Sequence, residues 1–426
     1  MYVSRRFYPD VIGGGQISAY HMAKAVSDLG HDVSVLTFTT GRYSEEALDG
    51  IKVFRFPIFH VGIPLLSHFL NLEGMYVQIA YRSWRFVKKI RPDIVHFLNY
   101  ESSYMTSWIL EREKIPLVET INAPWVCGAG NCVNYEKNIC LTCSGKEMYR
   151  CFMKRERSGL AGRVKGLVKY AYRSLNMAEQ RFFERRIDRF FPISNALKDL
   201  FVRNGYDEKK LKVIPLILSP QEKVETDLKQ RLGIKPDDKV ILCVGRVTED
   251  KGVHRAVEAM RYVKGAVLLV IGRGSYSKVR TDYYKSLEKM AEEYGLKDKV
   301  RFIGYVDPKD LKEYYSIAYL TVSPCWWFEG FSRTLLESCA YGVPAIATDV
   351  GGISDVIEDG GNGILLKTTD TEELVKAIES LLMNPEAHEK MSRFCIEKVA
   401  AEFSPERVGK DQVSEYESLI KKKAGR

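Results

Sequence analysis

The chain has 426 residues, of which 45% are hydrophobic and 28% charged; this is a globular composition that excludes disorder, collagen and coiled coil, at a length that implies two domains. No apolar run reaches the roughly 18–20 residues of a membrane span, and the opening MYVSRRFYPD lacks the apolar core of a secretory signal, so a cytosolic chain, free or peripheral on the cytosolic membrane face, is expected. The net charge of +9 is unevenly placed: residues 1–215 carry 32 Lys/Arg against 21 Asp/Glu and the remainder 32 against 34, which points to an anionic partner of the first half or simply to solubility.

In chain order, MYVS reads as a short strand. Gly13, Gly14 and Gly15 form a glycine turn that opens a helix through 13–31. DVSVLTF, KVFRFP, DIVHFLN and LVETIN continue as strands, 194–204 as a helix capped by Ser194, and KVIPLIL (212–218) as the last strand of the half. The switch between halves is expected at 216–228, where Pro215, Pro220 and a polar stretch fall. Two stretches of the first half, 60–90 and 154–189, are apolar and aromatic with basic residues. The second carries 11 Lys/Arg against 4 Asp/Glu, a pattern that suits an anionic membrane surface or the solvated face of ordinary core helices. No nucleic-acid module accompanies them.

Five of nine cysteines lie between 127 and 151, spaced C-x4-C-x7-C-x2-C-x7-C. Without a secretory signal, metal ligation is a better explanation than disulfides. Cys140 and Cys143 make one half-site and Cys127 and Cys132 the other, for structural zinc or an iron–sulfur centre. Free or redox-active thiols are the alternative. Cys243, Cys325, Cys339 and Cys395 read as core residues.

The second half alternates strands (240–245, 266–272, 300–306, 319–324, 343–349) with amphipathic helices, the pattern of a parallel α/β sheet. Two such halves facing each other imply a cleft, with ligands bound beyond the carboxyl ends of the strands. After 319–324 comes CWWFEGFSRTLLESCAYGVPAIATDVGG. Glu329 precedes a helix that begins near Ser332, and Glu337 lies within it. The helix N-terminus at Gly330, Ser332, Arg333 and Thr334 is a place for an anion, and the two carboxylates can accept hydrogen bonds from hydroxyls. Phosphate plus several hydroxyls describes a nucleotide sugar. After 240–245, GRVTEDKG supplies Arg246 and Lys251, cations able to neutralise a leaving diphosphate without a metal. IGRGS adds Gly272 and Gly274 at a turn.

GRVTEDKG, IGRGS, FEGFSRTLLESCAYGVP and TDVGG, in this order and spacing, resemble the retaining glycosyltransferases of family 4. The resemblance runs over nearly the whole chain and is strongest over 190–400. It implies the GT-B fold, two Rossmann-like doubly wound α/β domains facing across a cleft. The expected division is an acceptor-side domain at 1–218 with a cysteine-rich insertion at 127–151, a nucleotide-sugar domain at 219–402, and a helix at 403–426 that crosses back. The resemblance further implies that Glu337 binds the donor ribose, Glu329 the transferred sugar, and the backbone at Gly330, Phe331, Ser332 and Thr334 the sugar and phosphates. Arg246 and Lys251 would stabilise the leaving diphosphate, and Gly13 to Gly15 would approach the donor from the other domain. No cofactor is implied for catalysis. The donor is a UDP- or GDP-sugar and the acceptor a glycan or lipid-linked sugar, in synthesis of cell-surface polysaccharide, lipid-linked oligosaccharide or glycolipid. One departure stands out: Asn122 and Ala123 replace the His–Asp pair frequent in the family, and Asn binds a hydroxyl but takes no proton. The competing readings are a non-catalytic nucleotide-sugar-binding relative, a metal- or redox-sensing protein built on the cysteines, and a nicotinamide enzyme using the glycine turn, which lacks a clearly placed acidic partner.

Overall fold

A computed structural model describes residues 1–10, 14–59, 67–128, 132–134, 136, 138–155, 159–274 and 281–425, with backbone only for 67–73. Gly13 and the 60–66 part of the first basic stretch therefore lie outside the described residues. The chain divides into two compact units, Met1–Ile217 with Pro405–Arg426, and Leu218–Ser404.

In the first unit, β1 (Tyr2–Val3), β2 (Ser34–Thr39), β3 (Ser44–Leu48), β4 (Ile51–Pro57), β5 (Val95–Phe97), β6 (Leu117–Ile121) and β7 (Arg189–Pro192) form one sheet. Its order is β3-β4-β2-β1-β5-β6-β7. All pairs are parallel except β3–β4. The parallel strands are buried and read as apolar runs, as a sheet covered on both faces requires. Strand β3 (SEEAL) is exposed and charged, so no hydrophobic alternation announces it. The turn Asp49–Gly50, with φ of 48° and 85°, forces it; two positive φ values are the hairpin geometry that an Asp-Gly pair favours.

The expected strand KVIPLIL does not form. The segment runs beside β7 through Lys212 N–H to Phe190 O and Ile214 N–H to Pro192 O, both 3.0 Å. Pro192, the last residue of β7, has no N–H to return to the segment, and the pairing is confined to one bridge, Phe190 with Leu211. β7 itself (RFFP), absent from the sequence reading, takes the edge position instead.

The last helix, Pro405–Ala424, belongs to this unit. Val408, Tyr416 and Leu419 enter the same core as Ala23 and Val26 of the helix Gly14–Asp28. A Cβ on Gly409 would stand 3.2 Å from Ala25 Cβ, so glycine lets the two helices approach closely. Gln412 donates to Tyr2 OH at 2.7 Å, and Tyr416 OH meets buried His96. Burial lowers the His96 pKa to about 3, which keeps the ring neutral.

The second unit is a parallel sheet of β8 (Lys239–Val244), β9 (Ala266–Ile271), β10 (Val300–Gly304), β11 (Ala318–Ser323), β12 (Ala345–Thr348) and β13 (Gly363–Leu366). Its order is β10-β9-β8-β11-β12-β13. Alternate residues serve opposite cores. Ile241, Cys243, Leu268 and Val270 face one layer of helices, and Val240, Leu242, Val267 and Leu269 face the other. The order reverses between β8 and β11. Helices leave these two strands in opposite directions and open a crevice at their carboxyl ends, where doubly wound sheets bind ligands.

Candidate active site

Arg246 and Lys251 follow β8, and Glu329, Phe331, Ser332 and Thr334 follow β11. All six line one cavity of about 210 Å3 at that crevice. Whole small-molecule sites run to roughly 300–1,000 Å3, so this cavity is smaller than one that encloses an entire drug-sized ligand.

Two glycines let the loops meet. Gly252 has a φ of 67°, and a Cβ there would stand 2.0 Å from Pro324 O. Gly351, from the TDVGG motif, has a φ of 60°, and its Cβ would stand 2.1 Å from Glu329 O. Gly352 N–H donates to that carbonyl at 2.7 Å. The motif glycines thus clamp the backbone of Glu329.

The Glu329 carboxylate pairs with Lys251 Nζ and accepts from Trp327 Nε1 at 3.2 Å. The Trp327 ring lies under both cations, 5.5 Å from the Arg246 guanidinium and 5.4 Å from Lys251 Nζ. Arg246 also approaches Asp250 at 3.8 Å. Two cations, one carboxylate and an aromatic face therefore share a partly buried space, where charge interactions exceed their strength in water.

The helix Arg333–Ala340 begins at this cavity. Ser332 occupies the N-cap position without a side-chain cap bond. The first N–H groups of a helix have no partners within it and carry a partial positive charge. Glu337 sits one turn along and does not line the cavity. Its carboxylate accepts from Arg333 Nε at 2.8 Å and from buried Tyr315 OH at 3.3 Å. Burial, and then the Glu337 charge, hold the Tyr315 hydroxyl well above its usual pKa, so it stays a donor.

Gly272 and Gly274 have a reason within the chain itself. A Cβ on Gly272 (φ 140°) would stand 1.7 Å from Gly245 O, and one on Gly274 would stand 2.3 Å from Thr281 Oγ1. Neither residue lines the cavity. Gly330 precedes the helix and is likewise outside the lining.

In the first unit, Gly14 and Gly15 are exposed at the start of the helix Gly14–Asp28. Among the described residues, beyond its chain neighbours and its own helix backbone, nothing lies within 4 Å of a Cβ built on Gly15. Asn122 is exposed at the carboxyl end of β6 and donates to Leu98 O at 3.3 Å. Among the described residues no group of three or more His, Cys, Asp or Glu is set out as a metal site. Of the cysteines expected to hold a metal, Cys127 Sγ accepts from Cys132 N–H at 3.3 Å and Cys143 Sγ from Gly128 N–H at 3.4 Å.

Sequence reading placed Arg333 at the helix start and Trp327 in the aromatic setting of the two carboxylates without giving either side chain a partner, and it missed Asp250. Arg333 carried a signal: it stands four residues before Glu337, the spacing of a helical ion pair. Trp327 was visible only as part of an aromatic run.

Two family models match the chain, Glycosyltransferase Family 4 over 12–222 and Glycosyl transferases group 1 over 224–397. An uncharacterized glycosyltransferase of Methanocaldococcus jannaschii is 22% identical, over 97% of this chain and 96% of that protein. A glycogen synthase of Mycobacterium tuberculosis is 23% identical, over 94% and 90%. Among solved structures, Anabaena HepE in complex with UDP superposes with a TM-score of 0.70 at 16% identity, covering 98% of this chain and 99% of that one. Sucrose-phosphate synthase of Thermosynechococcus elongatus gives 0.71 at 19%, covering 98% of each. The fold is therefore GT-B. The chain belongs to glycosyltransferase family 4 and is a nucleotide-sugar-dependent transferase of that retaining family, whose chemistry generally needs no metal.

Proposed function

We propose that this protein transfers a hexosyl or related unit from a UDP-sugar to a lipid-linked or glycan acceptor in cell-surface polysaccharide, lipid-linked oligosaccharide or glycolipid synthesis. The observation that carries the reading is the meeting of Arg246, Lys251 and Glu329 in one cavity at the start of the helix Arg333–Ala340. UDP is favoured over GDP because Anabaena HepE is described in complex with UDP and with UDP-glucose.

In this proposal the acceptor oxygen attacks the anomeric carbon on the face the leaving group occupies. The bond from that carbon to the phosphate oxygen breaks, the acceptor proton passes to a phosphate oxygen, and nucleoside diphosphate departs. Arg246, Lys251 and the backbone N–H groups at Phe331, Ser332 and Thr334 stabilise the negative charge that develops on the diphosphate. Charge stabilisation by groups already in place is usually the largest catalytic contribution. Glu329 accepts a hydrogen bond from the transferred sugar and Glu337 from the ribose. Gly330 leaves room for the sugar, Gly272 and Gly274 shape the donor side, and Gly13 to Gly15 admit the donor phosphates. Asn122 binds an acceptor hydroxyl. A metal held by Cys127, Cys132, Cys140 and Cys143 would be structural, since four thiolates leave no position open to substrate.

A membrane-borne acceptor is supported by the helix Leu160–Glu184, whose polarity is inverted. Its buried residues are Gly166, Gln180 and Glu184. Leu160, Val164, Leu167, Val168 and Leu175 are exposed, Leu160 by 80% and Val168 by 62%. The spacing i, i+4, i+7, i+8, i+15 places them on one face, and Arg163, Lys165 and Lys169 are exposed beside it. An apolar stripe with basic flanks fits an anionic bilayer surface. No helix among the described residues is long and apolar enough to cross a membrane.

Calorimetry with UDP, GDP and ADP, followed by transfer assays with the matching sugar nucleotide, tests the donor. UDP binding that is lost in Glu337→Ala is expected; no binding by any nucleotide to folded protein overturns the reading. For the membrane, co-sedimentation with phosphatidylglycerol vesicles is expected, reduced about tenfold in Leu167→Glu/Val168→Glu. Equal binding by the variant would refute that surface.

A further inference from the structure

Two loops flank the candidate cavity: the turn after β8 that carries Lys251, and the segment 324–331 after β11. They are joined by several bonds. Arg255 Nη1 donates to Pro324 O at 3.0 Å, Trp326 N–H to Asp250 O at 3.2 Å, and Trp326 Nε1 to Glu249 O at 2.9 Å. Gly252, against Pro324 O, permits the approach. The next residue, Trp327, is therefore held beside the turn, and its indole is fixed by the bond from Nε1 to Glu329 at 3.2 Å.

Trp327 is half-buried and does not line the cavity. It nevertheless touches three residues that do. Its ring lies 5.5 Å from the Arg246 guanidinium and 5.4 Å from Lys251 Nζ, and its N–H is on Glu329. Long basic side chains lose rotamer freedom when a ligand orders them, which costs affinity. The Arg246 side chain is 40% exposed, so it has that freedom to lose unless something holds it. An aromatic face attracts a cation through its quadrupole. Unlike a carboxylate, it does so without cancelling the charge. Lys251 also pairs with Glu329, and Arg246 approaches Asp250 at 3.8 Å. An incoming diphosphate competes with those carboxylates for the two cations. The uncharged ring keeps its hold while the anionic partner changes.

From this geometry we propose that Trp327 is a positioning residue of the donor site, its ring holding Arg246 and Lys251 at the cavity while Lys251 exchanges Glu329 for a phosphate oxygen of the nucleoside diphosphate. The role rests on the proposed assignment of both cations to that diphosphate. Trp327 itself makes no bond to the donor and acts through the two cations.

The test is calorimetric titration of the full chain with UDP. It compares wild type, Trp327→Phe, Trp327→Leu, Lys251→Ala and the double variant Trp327→Leu/Lys251→Ala. Trp327→Leu keeps an apolar side chain without a ring face and should weaken UDP binding about tenfold. Trp327→Phe restores a face and should recover most of that loss. In the Lys251→Ala background, Trp327→Leu should cost only about threefold, because one of the two cations the ring holds is gone; a merely structural loss would carry over unchanged. A second readout covers the case in which Trp327→Leu fails to fold. UDP should change the tryptophan fluorescence of the wild type, since the charge beside the indole changes, and most of that change should be absent in Trp327→Phe. Wild-type affinity in Trp327→Leu, no recovery in Trp327→Phe, an undiminished loss in the Lys251→Ala background, or an equal fluorescence change in Trp327→Phe would each overturn the proposal and leave the donor reading standing. Failure of folded wild type to bind UDP would overturn the donor reading, and this role with it.

Discussion

In the Leu218–Ser404 unit, the charged side chains at the candidate site are held by the chain itself. Lys251 pairs with Glu329, Arg333 with Glu337, and Arg246 lies over Trp327. In the first unit, Asn122 has a long bond to Leu98 O, and among the described residues none outside its own helix and chain neighbours lies within contact of a Cβ built on Gly15. The contrast follows from what each would recognise. A sugar diphosphate offers a constant pattern of charge and hydroxyls, and a preorganised set of partners binds it without rearrangement at the moment of reaction. Exposed groups at strand ends suit partners that differ from one enzyme to the next.

The contrast is broken or sharpened by five experiments. The largest effect is expected for Lys251→Ala, which should lower kcat about 10²–10³-fold, the loss typical of removing one donor to a developing anion. Thermal melting would show that the variant is folded. A loss below tenfold would break the assignment of the cation to the leaving group.

Gly272→Ala should cost about 3 kcal/mol of stability by denaturant titration, since the new methyl meets Gly245 O at 1.7 Å with φ at 140°. A variant as stable as wild type would mean that the ends of β8 and β9 yield easily.

Glu337→Ala should weaken UDP binding about 10–100-fold, the range of a hydrogen bond to a charged acceptor. Calorimetry reads this directly, and unchanged affinity would remove the carboxylate from the donor site.

A pH effect is expected from the first unit. Burial raises Glu184 to about 7, against hydrogen bonds from Tyr206, Gln180 and Trp125, and raises buried Glu119 as well. A carboxyl raised in the folded state contributes stability below its unfolded value of about 4.5, and that stability is lost as pH rises through 7. Melting temperature should therefore fall between pH 6 and 8, by the equivalent of about 1–3 kcal/mol. Glu184→Gln should flatten the profile. An equal slope in that variant would place the titration elsewhere.

The smallest effect on folding is expected for Gly15→Ala. Removing a glycine from a helix without a clash should change stability by at most about +1 kcal/mol. Donor affinity should fall nonetheless, and unchanged affinity would leave that glycine without a reason.

Much of the Leu218–Ser404 unit was legible before any coordinates. Its strands are continuous apolar runs because a parallel sheet covered on both faces buries every residue, and the residues after β8 and β11 are informative because ligands bind at strand carboxyl ends. Less of the first unit was readable. Strand β3 is too polar to announce itself and is made by the turn at Asp49–Gly50. KVIPLIL has a strand's composition, but its neighbour β7 ends in Pro192, which has no N–H to give it.

By itself the sequence determined the family, the parallel parts of the two sheets, and the presence of Arg246, Lys251, Glu329 and Glu337 in the unit that also carries TDVGG. Local composition and spacing decide these, because a strand–loop–helix unit places its loop residues wherever the strand ends. Only the tertiary structure decided which carboxylate meets which cation, why Gly252 and Gly351 must lack a side chain, and which face of Leu160–Glu184 looks outward. These are relations between residues distant in the chain, set by how loops and helices pack, and no local pattern encodes them.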